Sequence, residues 1–310
     1  MEPAAAPAET VPPAAEDEAA EPSQPTGSLL SETEGAQLMA EAEAAISAQD
    51  YSGALDKLQA AREKLNQLST NYQQLAEQFA GIDTPISSDL RQRALESAQM
   101  RDQATFQQSL VYRAQNQPAL AVPLLVEILQ SQSPTRDLGQ RAYRQLFELG
   151  FVETPFPRGA GADTASSATR PLDPEASPIG IAAAEVTIQT ADQAANAQNY
   201  TLAAEQLQSA RESLNQVSSY YQQLSTVFTG IDNRVANSVR QRAAEAAQLR
   251  DQATLKQAQV YRAQSQADLA IPLLVEVINS QNPTRDLGQQ AYQQLFELGF
   301  VELPYPSAAE

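Results

Sequence analysis

The 310-residue chain contains no cysteine, no histidine and no tryptophan. Without cysteine there is no disulfide framework, no thiolate nucleophile and no zinc knuckle. Without histidine, the side chain that titrates near neutral pH and the commonest metal ligand are both missing. Hydrolytic constellations built on Ser-His-Asp or Cys-His are therefore excluded. Basic residues are scarce as well: 20 Lys and Arg face 38 Asp and Glu, for a formal net charge of −18. Sequence-independent binding to nucleic acid or to an anionic membrane needs a dense cationic surface, and this chain does not carry one. Long apolar runs are missing too. The stretch from Leu120 to Val126 is short and interrupted by Pro123, far from the roughly 20 residues of a membrane-spanning helix. The start, Met1-Glu2-Pro3, shows neither a basic nor an apolar leader segment, so the expected location is the cytoplasm.

Hydrophobic residues make up 42% of the chain, enough for real cores outside two biased segments. Residues 1–30 consist largely of Ala, Pro, Glu, Ser and Thr, and no Lys or Arg precedes Lys57. That composition buries too little apolar surface to offset the entropy of ordering, so a disordered acidic tail is expected. Residues 157–177 carry Gly159, Gly161, Pro171 and Pro174 and read as a linker stiffened by its prolines.

What remains is one unit written twice. Tyr51 matches Tyr200, Gly81 matches Gly230, Tyr112 matches Tyr261, Pro134 matches Pro283 and Pro157 matches Pro306. The offset is 149 residues throughout, with 67 identities over 107 ungapped positions. A period this long exceeds one solenoid repeat, so two homologous domains are expected at 31–156 and 178–306, followed by a short tail at 307–310.

The apolar period inside each copy is helical. Leu58, Ala61, Leu65, Leu68, Tyr72, Leu75 and Phe79 recur at steps of three or four, forming one stripe. Gly81 is the expected cap of that helix. A third helix is expected from Ser87 or Ser88 to about Gln115, and a fourth from Pro118, kinked or delayed by Pro123. Ser133-Pro134 reads as an N-cap and first-turn proline for a fifth helix that stops at Gly150, with Phe151-Val152 as a hydrophobic contact beyond it. Strand signals of comparable length are absent. The fold class is therefore all-α, about five helices per copy, as TPR-like hairpins or a bundle.

The run from Gln49 to Ala61, with Asp50-Tyr51 followed by Ala54, Leu58 and Ala61, resembles the middle of a tetratricopeptide (TPR) repeat. Asn199, Tyr200, Ala203, Leu207 and Ala210 repeat the match, and Tyr112 to Leu124 echoes it. The chain departs from the family in placing Gln49 and Gln198 where the turn glycine stands, and in a second helix of about 30 residues. The resemblance implies a helix-hairpin scaffold for binding proteins.

Two surfaces are candidates for such binding. Arg91, Arg93, Arg101 and Arg113 lie on the third helix and recur at Arg240, Arg242, Arg250 and Arg262. Arginine clamps carboxylates and phosphates, but these residues also have Glu96, Asp102 and other acids as neighbours for ordinary helix-surface pairing. The second surface is the segment from Ser131 to Phe151, almost unchanged from Ser280 to Phe300. Its residues Arg136, Tyr143, Arg285 and Tyr292 are of hot-spot types, although the helical spacing of the aromatics equally fits a core. The partner-binding residues expected from both surfaces are Arg101, Arg136, Tyr143, Arg250, Arg285 and Tyr292.

No cofactor, metal or catalytic residue is indicated. Glu127, Glu148, Glu276 and Glu297 are the carboxylates with apolar neighbours in both copies, but no second catalytic group stands at a defined spacing from them. The function expected is therefore a non-enzymatic scaffold or adaptor with protein partners. The alternative is a structural protein that self-associates through its long helices. An enzyme using a buried glutamate is a distant third.

Overall fold

The computed structural model describes residues 31–157 and 180–305. The expected tail at 1–30, nearly all of the expected linker and the last five residues lie outside them. The described residues form ten α-helices and no strand. In the first copy these are α1 (Glu32–Ser47), α2 (Tyr51–Gln78), α3 (Thr84–Ala114), α4 (Pro118–Gln132) and α5 (Asp137–Glu148). In the second they are α6 (Ile181–Asn196), α7 (Tyr200–Phe228), α8 (Asn233–Ala263), α9 (Ala267–Gln281) and α10 (Asp286–Glu297).

Each helix packs on the next within its copy, and turns of a few residues make these neighbours hairpins of TPR-like character. Asp50 caps α2 by accepting from the Gly53 amide at 2.9 Å, and Asp83 caps α3 by accepting from Ile86 at 3.0 Å. Gln49 and Gln198 both adopt φ of 61°, so the turn between the first two helices of each copy passes through a left-handed glutamine. α2 and α7 run 28 and 29 residues, and they pair with the 31-residue α3 and α8.

Three expectations need correction. α3 begins at Thr84, not at Ser87 or Ser88, because Asp83 supplies the cap and Pro85 suits the first turn. Pro123 does not delay α4, which runs from Pro118 through it. A proline at the sixth position removes a single early hydrogen bond, and Val122, Leu125, Val126 and Leu129 are buried around it. Ser133-Pro134 does not open α5. Ser133 instead ends α4 with φ of 61° and ψ of 136°, the Arg136 amide returns to the Ser133 carbonyl at 3.2 Å, and α5 starts at Asp137. The end of α5 is as expected: Gly150 has φ of 70°, and the Phe151 amide reaches the Leu146 carbonyl at 3.0 Å.

Most of the buried hydrophobic side chains among the described residues fall into three clusters. One lies among α1, α2 and α3, around Leu58 and Leu65. Another lies among α8, α9 and α10, around Leu274 and Leu295. The largest sits between them and draws on both copies, from Phe106, Leu125 and Tyr143 to Leu214, Phe228 and Val239. α4 packs directly on α7.

Candidate functional site

On the α2–α3–α4 face, Arg101 points inward at Asp102. Its Nε and Nη2 donate to Asp102 Oδ1 at 2.9 and 2.8 Å, Nη1 donates to Asn66 Oδ1 at 3.1 Å, and Nη2 also donates to Ser131 Oγ at 3.2 Å. The other Asp102 oxygen accepts from Ser131 and Gln132. The carboxylate is buried and balanced by these donors, so it ties three helices together. The second copy repeats the arrangement with Arg250, Asp251, Asn215, Ser280 and Gln281. Arg101 and Arg250 were expected to meet a partner. The structure spends nearly all of their donors on the fold.

A second clamp stands beside each of these. Arg62 Nη1 donates to Gln108 Oε1 at 2.7 Å, and its Nη2 contacts both oxygens of Glu127 at 3.1 and 2.9 Å. Arg211 does the same with Gln257 at 2.6 Å and with Glu276 at 3.0 and 2.8 Å. Sequence reasoning passed over Arg62 and Arg211. The available signal was an arginine recurring unchanged one position after an alanine of the buried stripe. In the second copy the clamps line a groove of about 530 Å³ bounded also by Tyr261, Leu269, Pro272 and Leu273.

The four carboxylates singled out from the sequence all sit in ion pairs. Glu127 and Glu276 take the clamps above, Glu148 pairs with Arg113 at 3.1 Å, and Glu297 pairs with Arg262 at 2.8 Å. Arg93 pairs with Asp89, and Arg242 pairs with Glu245 and Glu153. Most of the third-helix arginines thus serve ordinary pairing.

The loop before α5 and α10 is different. Pro134-Thr135-Arg136 and Pro283-Thr284-Arg285 hold the same backbone, with φ and ψ of −84° and 158° at Arg136 and of −92° and 156° at Arg285. Both arginines are exposed, and neither guanidinium has a hydrogen-bond or ion-pair partner among the described residues. Gly139 and Gly288 hold the loop close: a Cβ at either would overlap the carbonyl of Ser133 or Asn282.

The two tyrosines part company. Tyr292 is half-buried and donates to the Leu303 carbonyl at 3.0 Å. Tyr143 is fully buried, donates to the Thr154 carbonyl at 2.7 Å and packs on Phe156 and Phe228. It therefore offers no docking surface and belongs to the core. Burial raises the phenol pKa of Tyr143 well above its usual value, and it does the same to Tyr221.

No family model matches the chain, and no curated protein does. Among solved structures, it is similar to the crystal structure of the P58(IPK) TPR domain. The match covers 86% of this chain and 67% of that one, at 15% identity and a TM-score of 0.17. The TPR-like character rests on the chain's own hairpins. No helix among the described residues is long and apolar enough to cross a membrane.

Proposed function

We propose that the protein is a non-enzymatic scaffold whose two homologous helical domains, at 31–156 and 178–306, hold protein partners through similar surfaces. The observation that supports this best is the duplicated loop carrying Arg136 and Arg285. Each copy offers a solvent-facing guanidinium with no partner among the described residues, on a backbone held by a close glycine contact. An unpaired guanidinium suits a carboxylate-bearing protein surface, and the held loop backbone leaves only the side chain's own rotamer freedom to be lost on binding. Two such loops on one chain add avidity where a partner presents two sites.

The test is affinity capture with the wild-type chain and with the double reversal Arg136→Glu/Arg285→Glu. Both side chains are exposed, so the variant should keep its helicity. A partner held by the wild type is expected to weaken at least tenfold with the double reversal and less with either single one. Equal retention by the double reversal would remove this surface from the proposal.

A further inference from the structure

The contact between the copies is asymmetric, and each half of it is left over at one end of the chain. Inside the chain, the end of the first copy docks on the start of the second. The Phe151 ring stacks on Tyr221 at 4.6 Å, and the Tyr221 hydroxyl donates to the Phe151 carbonyl at 2.9 Å. Tyr143 and Phe156 pack on Phe228 at 4.9 and 5.1 Å. Glu153 pairs with Arg242.

The matching positions 149 residues away have no such partner surface among the described residues. On the docking side, Phe151 is 2% exposed and Phe300 is 56% exposed. Val152 is buried, whereas Val301 is only half-buried. On the receiving side, Leu224 is 0% exposed and Leu75 is 46% exposed, while Val235 is 0% exposed and Ile86 is 42% exposed. Phe228 is buried, whereas Phe79 is only partly so. The residues themselves are retained: Tyr72, Leu75 and Phe79 match Tyr221, Leu224 and Phe228, and Phe300-Val301-Glu302 matches Phe151-Val152-Glu153. Arg93 stands where Arg242 does.

We propose that these two ends meet between molecules: the α9–α10 end of one chain docks on the α1–α3 end of a second copy of this chain. The occupant follows from the internal interface, which is a worked example of the same pairing between near-identical surfaces. Phe300 would lie on Tyr72, Tyr305 and Tyr292 on Phe79, and Glu302 near Arg93. A heterologous contact of this kind does not use itself up, so it adds chains until a ring closes or a filament grows. The free receiving face is also more polar than its internal counterpart. Asn71 and Gln78 stand where the second copy has Tyr220 and Val227, which are packed against the central core. The contact between chains is therefore weaker than the one within, and it assembles reversibly with concentration. It uses none of the residues on which the partner-binding proposal rests, so either proposal can fail alone.

Sedimentation velocity of the full chain over a wide concentration range tests this, in salt high enough to screen the repulsion between chains of charge −18. The expected result is a sedimentation coefficient that climbs beyond the monomer value with concentration. Phe300→Glu removes the docking end and Phe79→Glu the receiving end, so each variant alone should stay monomeric. Mixed, they should form a one-to-one dimer that goes no further, because each retains the face the other lacks. Leu75→Glu, at a more exposed site, replaces Phe79→Glu if the latter loses helicity. A wild type that stays monomeric throughout overturns the proposal, as does a mixture that does not pair. Growth that appears only after residues 1–30 are deleted overturns it as well, since the tail would then be the occupant.

Discussion

Asp102 shows how a residue can look functional in sequence and prove architectural in space. The pair Arg101-Asp102 recurs as Arg250-Asp251, which is what a recognition site or a structural clamp would equally leave behind. The difference lies in the neighbours: Asn66, Ser131 and Gln132 arrive from two other helices and satisfy both groups. Asp102→Ala leaves a partly buried guanidinium and two polar side chains without their acceptor. It should cost about 2–4 kcal/mol in urea unfolding, and Asp251→Ala should cost a similar amount. Arg136→Ala, on the exposed loop, should stay within about 0.5 kcal/mol of wild type. Equal costs at Asp102 and Arg136 would refute the clamp.

At the scale of elements, helix existence was legible and helix junctions were less so. The stripe from Leu58 to Phe79 announced α2, because a 3.6-residue period needs no knowledge of what covers it. The junction at Ser133 was misread because Ser-Pro has two structural uses. It serves as a cap and first turn where the backbone is extended, and as a turn where the preceding helix ends in a left-handed residue. Ser133 takes the second course, and Asn282 follows it with φ of 63° and ψ of 136°. Gly139 and Gly288 were the clue, since only glycine lets α5 and α10 approach that turn. Gly139→Ala should push the loop off α5 and destabilise the chain by about 1–3 kcal/mol, and Gly288→Ala should act alike. Thermal or urea unfolding checks both, and a neutral result at either would mean that the loop shifts freely.

Across the whole molecule, one sequence position can have two energetic fates. Phe228 is buried beneath Tyr143 and Phe156, whereas Phe79, its match in the first copy, is only partly covered. Phe228→Ala should therefore cost about 3–5 kcal/mol. Phe79→Ala should cost less than half of that in urea unfolding at concentrations where the chain is monomeric. Matching losses would mean that the copies are equally covered. The sequence by itself determined the helical class, the duplication, the stop at Gly150 and the apolar stripes, because each depends on local spacing or local hydrogen bonding. Which stripe is covered, and by what, was decided only by the tertiary structure. Tyr143 and Tyr292 sit in nearly identical local sequences, and nothing within a helix turn of either records that the second copy lies over the first. Burial is a property of what arrives from elsewhere in the chain, so identical segments part company only once the copies have packed.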